Sequence, residues 1–268
     1  MKPDIGIIGG SGFYEFLSDA RSVSVDTPFG EPSAMIAVGV VGDREVAFVP
    51  RHGKHHQFPP HQVNYRANLW ALRSLGVRQV LAPCAVGALV PELGPGDFVV
   101  PDQVIDRTWG RQHTFCDDEG PVFHIGFAEP YCPRLRATYL EAEPSVTDGG
   151  TLVVINGPRF STKAESLWHR SAGGTVVGMT GMPEASVARE LAMCYAPICL
   201  VTDHDAGVEG QAAVSHADVL EVFGRSIGTL KDLLRKVIAI APAPELDAWA
   251  QCSCRHALDG MKLPFELP

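Results

Sequence analysis

The sequence predicts an α/β sandwich, because short apolar runs typical of buried strands alternate along the chain with amphipathic helical stretches. Strands that are buried on both faces of a sheet have nearly continuous apolar sequences, and turn-forming residues bound them. Seven runs fit this description, each ending close to a Gly, Pro, Asn or Asp: residues 5–8, 46–49, 80–82, 98–100, 152–155, 176–177 and 198–201.

Three helices are predicted between and after these runs. Residues 63–75 carry apolar side chains at helical spacing and stop at Gly76, and residues 183–193 begin with Pro-Glu in the first turn. The longest helix begins at Ser215, with Asp218 completing a weak capping box, and is expected to pack on the sheet. Its apolar positions are Val219, Phe223, Ile227, Leu230, Leu234 and Val237.

Composition limits the classes of function. The 268 residues are 46% hydrophobic and 20% charged, enough apolar material for a packed core, and the formal net charge is −9. No basic face offsets that charge, so binding to nucleic acid or to an anionic membrane is not expected. The N-terminal residues lack a signal-peptide pattern and no apolar run is long enough to span a bilayer, so a cytoplasmic location is expected.

The seven cysteines, an odd number at scattered positions, are expected to be reduced core thiols and not a disulfide framework. Residues 1–240 are predicted to form the folded domain, and residues 241–268 an irregular C-terminal extension. Within the extension, Cys252, Cys254 and His256 suggest half of a zinc site. Because these three ligands do not complete a tetrahedral set, a structural tail is favoured.

The strand predicted at residues 46–49 leads directly into the loop Arg51-His-Gly-Lys-His-His-Gln57. A guanidinium fork and a titratable donor on rigid backbone suit a tetrahedral oxyanion such as phosphate. His52, His55 and His56 also have the types and spacing of a metal site. A solvated basic loop is the third interpretation.

Three further strand ends offer donors to an anion. They are the glycine-rich turn around Ser11, the turn from Cys84 to Gly87, and Thr180, which precedes a predicted helix N-terminus. Each signal alone is weak, because tight turns need small residues for purely structural reasons. Strand ends in α/β sheets are nevertheless the preferred ligand sites.

Asp203 and Asp205 flank His204 at the end of the last apolar run. Alternation along a strand puts both carboxylates on the same side. Such a pair can accept hydrogen bonds from an amino-substituted heterocycle, or one member can stay protonated and act as an acid. A metal site that includes His204 and a solvated loop are the alternatives.

Taken together, these segments and their order resemble the methylthioadenosine phosphorylase branch of the purine nucleoside phosphorylase superfamily, from residue 5 to about residue 240. The resemblance implies a single-domain three-layer α/β sandwich, with a twisted mixed central β-sheet flanked by helices, that assembles as a homotrimer. It implies no metal and no cofactor, with inorganic phosphate as co-substrate. The motifs that carry it are GIIGGSGF, DTPFG, RHG, HQVNYRANLWAL, PGDFVVPDQVIDRT, AEPYCP, GPRFSTKAES, MTGMPEA and TDHDAG.

The same resemblance assigns roles to matching positions. Cys84 stands where the family often has a hydroxyl residue, and since a thiol is a poor donor the backbone N–H of Ala85 is expected to take more of the phosphate contact. His124 is expected to close the 5′ pocket of a neighbouring subunit. The implied phosphate contacts are Ser11, Arg51, His52, Cys84, Ala85 and Thr180, and the implied nucleoside contacts are Phe160, Ser161, Met179, Asp203, His204 and Asp205.

The implied reaction is phosphorolysis of S-methyl-5′-thioadenosine to adenine and 5-methylthioribose 1-phosphate, a pentosyl transfer in purine and methionine salvage. Asp203 would protonate N7 of the leaving base, and His52 would help hold the nucleophile. Carboxylate oxygens accept hydrogen bonds from a 6-amino group, which favours adenine.

Relatives specialised for 6-oxopurines share GMTGMPEA, so a 6-oxopurine-preferring purine nucleoside or methylthioinosine phosphorylase is the main alternative. His216 stands where the methylthioadenosine enzymes carry a small aliphatic residue, which leaves room for 5′-hydroxyl nucleosides, but a surface position in the first turn of the last helix is the favoured interpretation. A metal-dependent hydrolase and a nucleotide-binding module without catalysis are less favoured.

Overall fold

The computed structural model describes residues 2–10, 16–117, 120–208, 216–242 (His216 by its backbone only) and 251–268. Within these ranges, eleven strands join in one mixed sheet and five α-helices accompany it. The strands are β1 (Ile5–Gly9), β2 (Ser18–Val23), β3 (Ile36–Val41), β4 (Arg44–Pro50), β5 (Gln79–Ala88), β6 (Phe98–Val100), β7 (Gln103–Arg107), β8 (Thr147–Asp148), β9 (Thr151–Ile155), β10 (Gly174–Gly178) and β11 (Cys194–His204). The helices are α1 (Tyr65–Ser74), α2 (Pro133–Ala142), α3 (Lys163–Ser171), α4 (Glu184–Glu190) and α5 (His216–Ile240).

The long strand β5 organises the sheet. Its first residues, from Gln79 to Leu81, pair in parallel with β1, whereas Gly87 and Ala88 pair antiparallel with β10. Along its other edge β5 runs parallel to β11 over its whole length. Among the described strands, residues 82–86 therefore have a ladder neighbour on one side only, and this gap between β1 and β10 is where the functional site lies.

Helices cover both faces of the sheet, which gives the three layers expected from the resemblance. Leu69 of α1 and Ala185 of α4 belong to the apolar core on one face. Leu135 of α2 and Leu234 of α5 belong to the core on the other face. Burial of both faces explains why the central strands have nearly continuous apolar sequences.

All seven strands predicted from the sequence are present, and the three predicted helices are present with slightly different ends. Strands β2, β3, β7 and β8 were not predicted, and the sequence of β2, Ser-Asp-Ala-Arg-Ser-Val, is largely polar and exposed at the edge of the sheet. Helices α2 and α3 were also missed, although Thr162 and Glu165 form a reciprocal capping box at the start of α3. Among the described residues, no helix is both long enough and apolar enough to cross a bilayer.

The described part of the C-terminal extension packs on the body of the protein. Phe265 lies with its ring centroid 5.5 Å from that of Trp70 and 5.4 Å from that of Phe115. Cys252 and Cys254 lie in the core that contains α2 and α5. The boundary at residue 240 coincides with the end of α5 but stays a prediction as a domain boundary.

Candidate active site

A cavity of about 430 Å³ lies at the gap in the sheet. The exits of β4, β10 and β11 and the middle of β5 converge on it, as expected for ligand sites of α/β sheets. Its lining includes Gly10, Arg51, His52, His56, Pro60, Cys84, Ala85, Val86, Gly87, Ile155, Pro158, Phe160, Ser161, Met179, Thr180, Thr202, Asp203, Asp205, Val219, Leu220 and Phe223.

Arg51 forms a buried ion pair with Glu184 at the bottom of this cavity. Its Nε donates to Glu184 Oε1, and its Nη2 donates to Glu184 Oε2 over 3.1 Å. Two more N–H groups donate to the carbonyls of Ile8 (2.8 Å) and Pro83 (3.2 Å). A guanidinium has five N–H donors, so a single N–H of Nη1 is left for a ligand.

Glu184 stabilises the positive charge of Arg51. Burial alone would lower the pKa of Arg51, but the charge and hydrogen bonds of Glu184 raise that pKa above its usual value. Glu184 is fully buried at the start of α4 and also accepts a hydrogen bond of 2.9 Å from the Tyr195 hydroxyl. The pair thus anchors a permanent positive charge under the cavity, with little freedom to move.

His52 is oriented by the loop that it begins. Its Nδ1 lies 2.9 Å from the carbonyl oxygen of Phe58, and because a carbonyl can only accept, Nδ1 carries the proton. Burial, with a further contribution from the charge of Arg51, lowers the pKa of His52 to about 4. The free imidazole is therefore neutral at pH 7, with a lone pair on Nε2.

Asp203 is a carboxyl group prepared to carry a proton. Burial raises its pKa to about 6, with a further contribution from Asp205, while a hydrogen bond from Thr202 opposes the rise. The Thr202 hydroxyl lies 2.7 Å from Asp203 Oδ1 and 3.2 Å from the Val86 carbonyl oxygen. It has one proton, so it donates to one of them at a time.

Asp205 presents an orphan acceptor at the same end of the cavity. Its side chain is 3% exposed, and its buried Oδ2 has no hydrogen-bond partner among the described residues. Gly87 of β5 makes room for the pair, because a Cβ there would lie 2.9 Å from Asp203 Oδ2. A buried carboxylate oxygen without a partner is costly, so a donor on a ligand would relieve it.

The wall opposite the sheet is apolar. Helix α5 contributes Val219, Leu220 and Phe223, and Phe160 and Met179 complete this side. The prediction that α5 packs on the sheet is confirmed for its later turns, where Leu230, Leu234 and Val237 are buried in the core, whereas Val219 and Phe223 line the cavity. The first turns of α5 therefore form a side of the site, and its later turns hold the helix in place.

The sequence pattern of the phosphorylase superfamily matches residues 4–239, which include the residues that line the cavity. The chain belongs to the phosphorylase superfamily. The match includes every strand and helix that surrounds the cavity.

Individual relatives agree with this membership over nearly the whole chain. A protein from Mycolicibacterium smegmatis named S-methyl-5′-thioadenosine phosphorylase is 58% identical over 98% of this chain and 99% of its own length. A purine nucleoside phosphorylase from Streptomyces coelicolor is 53% identical over 100% and 99%. The structure of methylthioadenosine phosphorylase from Schistosoma mansoni in complex with adenine is similar with a TM-score of 0.85, at 39% identity, over 91% of this chain and 94% of that one.

Most residues singled out from the sequence meet in the cavity of this superfamily member. His204, the last residue of β11, does not line it. His124 is exposed and does not line the cavity of its own chain. Ser11 and the side chain of His216 lie outside the described residues. The lining includes Arg51, His52, Cys84, Ala85, Phe160, Ser161, Met179, Thr180, Asp203 and Asp205.

The histidine loop does not assemble a metal site in the described part of the chain. The rings of His52 and His56 stack with centroids 4.6 Å apart, and no group of three ligand atoms converges there. His55 is exposed, and its backbone N–H donates to Gln57 Oε1. Stacking places the imidazole faces, and not two ring nitrogens, towards each other.

Two important residues were missed from the sequence. Glu184 had been noted only as an acidic residue in a helix first turn, and its partner Arg51 is 133 residues away. Arg111 is 6% exposed and donates to the carbonyl oxygens of Asn156 (2.9 Å) and Met179 (3.0 Å). It ties the exits of β9 and β10 together and so positions Met179. No local pattern reveals either contact.

Proposed function

We propose that this protein catalyses phosphorolysis of S-methyl-5′-thioadenosine, transferring the 5-methylthioribosyl group from adenine to phosphate. One observation carries the proposal: a single cavity joins a cationic end at Arg51 to a carboxyl group with a raised pKa at Asp203, with an apolar wall between them. Cleavage of an N-glycosidic bond by phosphate needs a held nucleophile and a leaving base that can be protonated. The M. smegmatis relative supports the choice of substrate.

Phosphate is proposed to bind at the end formed by β4, β5 and β10. The remaining N–H of Arg51, the Thr180 hydroxyl and the backbone N–H of Ala85 supply donors that line this end. Cys84 contributes less, because its thiol lies 3.5 Å from the Cys199 sulfur in the core. The negative charge of bound phosphate would also stabilise the oxocarbenium-like ribosyl centre as the bond breaks.

The base is proposed to bind at the Asp203 end. A protonated Asp203 would donate to N7 as negative charge develops on the purine, which is worth about 10²–10⁴-fold in rate. The unpartnered oxygen of Asp205 would accept from the 6-amino group of adenine. Phe160, which lines the cavity and is 36% exposed, would lie against the base.

The 5′ end of the nucleoside is proposed to lie against Val219, Leu220 and Phe223. These side chains offer no hydrogen-bond partner, so they favour a methylthio group over a hydroxyl group. The residue expected to complete this end is His124 of a neighbouring subunit in a trimer. We also propose that the enzyme is a cytoplasmic homotrimer that acts in purine and methionine salvage. Its reaction would need no metal and no cofactor.

A 6-oxopurine-preferring phosphorylase is the second candidate, and it is supported by a Pyrococcus furiosus relative named 6-oxopurine nucleoside phosphorylase, which is 45% identical over 96% of this chain and 98% of its own length. The orphan Asp205 oxygen argues for the 6-amino purine, because a 6-oxo group would bring a second acceptor to it.

An assay of base release separates the candidates. Methylthioadenosine, methylthioinosine, adenosine and inosine are incubated with the enzyme, with and without phosphate. We expect adenine release from methylthioadenosine, strictly dependent on phosphate and insensitive to chelators. Release without phosphate would point to a hydrolase, and preference for the two inosine nucleosides would establish the second candidate.

A further inference from the structure

We propose that Cys132, Cys194, Cys252 and Cys254 form a tetrahedral tetrathiolate site for a structural zinc ion. The four sulfur atoms all lie within 4.8 Å of one another. None of these residues lines the active-site cavity, so the site is separate from the proposed reaction. The sequence analysis identified only Cys252 and Cys254 as candidate ligands, because Cys132 and Cys194 are far along the chain from this Cys-x-Cys pair.

The distances between the sulfurs suit a cation at the centre of the cluster. Zinc bound to thiolates has Zn–S bonds of about 2.3 Å, which places the sulfurs of a regular tetrahedron about 3.8 Å apart. Cys252 Sγ lies 3.6 Å from Cys132 Sγ and 3.3 Å from Cys194 Sγ. These two separations are shorter than that value and no sulfur pair is more than 4.8 Å apart, so shifts of about an ångström or less would convert this cluster into a zinc coordination sphere.

The ligands come from rigid and separate parts of the fold. Cys132 immediately precedes α2, and its N–H donates to the Tyr195 carbonyl oxygen over 2.9 Å. Cys194 opens β11. Cys252 precedes the short 3₁₀ helix of residues 253–256 in the extension, and Cys254 lies within it. A bound metal would consequently pin the C-terminal extension to the sheet.

Burial and access are both compatible with a closed structural site. The four cysteines are between 0% and 4% exposed, within an apolar core. A surface opening lined by Pro133, Arg134, Gln251 and Ser253 reaches Cys252, which provides a path for the ion. Arg189 also interacts electrostatically with Cys254 and would offset part of the excess negative charge of four thiolates on one Zn²⁺.

His256, the third ligand suggested by the tail sequence, does not belong to the cluster. Its Nδ1 pairs with Asp259 Oδ2 at 2.7 Å, and its side chain is 55% exposed. Four cysteines are a complete ligand set for structural zinc, in which no coordination position stays open for a substrate. Binding would release the thiol protons to solvent.

The first test is the metal content of the full-length protein. Protein purified under reducing conditions and incubated with Zn²⁺ is dialysed and measured by mass spectrometry, and we expect about one tightly held zinc per chain. Removing zinc with a strong chelator should lower the midpoint of thermal unfolding by several degrees, and adding zinc back should restore it. Failure to retain zinc would overturn the proposal.

Thiol counting distinguishes the metal site from disulfides. After denaturation with a chelator and no reductant, a zinc site predicts that all seven cysteines react with a thiol reagent. Two disulfides within the cluster would leave three reactive thiols, and that result would contradict the proposal.

Cobalt provides a signal that reports the ligands directly. Co²⁺ added to the zinc-free protein should give the strong near-ultraviolet absorption of cobalt–thiolate bonds. Cys254→Ser should reduce that absorption and lower zinc affinity at least tenfold, whereas Cys116→Ser, outside the cluster, should change neither. Equal zinc affinity in the two variants would refute the assignment. If Cys254→Ser does not fold, the zinc and thiol measurements on the unaltered chain still decide.

Discussion

Arg51 and Glu184 form an ion pair in which the two side chains are 3% and 0% exposed, directly beneath the cavity. The sequence suggested that Arg51 offers a two-pronged guanidinium fork to the ligand. In the structure, four of its five N–H groups bond to the protein, so only one N–H remains available. Glu184 fixes Arg51, and Arg51 supplies a positive field. In the proposed reaction, Arg51 would contact the phosphate, and Glu184 behind it would not.

Glu184→Gln should destabilise the protein strongly. The amide keeps the size of the side chain but leaves the Arg51 charge buried without a countercharge, which costs about 3–5 kcal/mol. Urea unfolding at one fixed protein concentration measures this loss. The matched control is Asp232→Asn, which breaks the exposed pair with Arg235 and should cost less than about 1 kcal/mol. An equal loss of unfolding free energy in the two variants would show that the buried pair stabilises the protein no more than the exposed pair does.

Asp203→Asn should shift base preference towards 6-oxopurines. The amide can donate to a 6-oxo group but cannot protonate N7, so kcat/KM for methylthioadenosine should fall about 10²–10⁴-fold. Activity on methylthioinosine should fall less. Initial rates on both nucleosides give the ratio, with Asp26→Asn, an exposed carboxylate outside the cavity, as control. An unchanged ratio would rule out Asp203 as the residue that selects the base.

Thr202→Val should move the alkaline side of the pH–rate profile upwards. The Thr202 hydroxyl stabilises the ionised form of Asp203, so its loss raises the pKa of Asp203 further. If the protonated acid is required, kcat/KM falls as pH rises through about 6 in the unaltered enzyme. The variant should lose activity at a higher pH than the unaltered enzyme does. If kcat/KM of the variant falls at a lower pH than that of the unaltered enzyme, the hydroxyl does not have this role.

Phosphate binding should be accompanied by proton uptake at His52. The free imidazole has a pKa of about 4, and a phosphate dianion beside Nε2 stabilises the imidazolium and raises that pKa. Calorimetry in two buffers of different ionisation enthalpy measures the uptake between pH 6 and 7. His52→Gln should abolish it and raise KM for phosphate more than it lowers kcat. His55→Gln, altered in the same loop but outside the cavity lining, should behave as the unaltered enzyme.

The central strands and the site segments could be predicted, because both depend on local sequence. Burial on two faces gives β1, β5 and β11 continuous apolar runs, and ligand groups follow where those strands end. The polar edge strand β2 lacks that signal. Contacts between distant segments could not be predicted, and both Arg51 with Glu184 and Cys132 with Cys252 are of this kind. The residue types in these contacts can be read from the sequence. Which residues become partners depends on the order of the strands in the sheet, which the sequence does not reveal.

Gly87→Ala should disturb the base end of the site and leave the phosphate end intact. A Cβ at Gly87 would lie 2.9 Å from Asp203 Oδ2 and 3.4 Å from Asp205 Cβ, so the carboxyl group of Asp203 has to move. A displacement near 1 Å at a catalytic group costs about 10²-fold in rate. Steady-state kinetics should show this loss in kcat/KM for the nucleoside, with KM for phosphate changed less than twofold. Gly94→Ala is the matched control, because its Cβ would meet only Asp97 Oδ2 at 4.0 Å, an ordinary contact. If Gly87→Ala weakens only the affinity for phosphate, Asp203 does not contact the base.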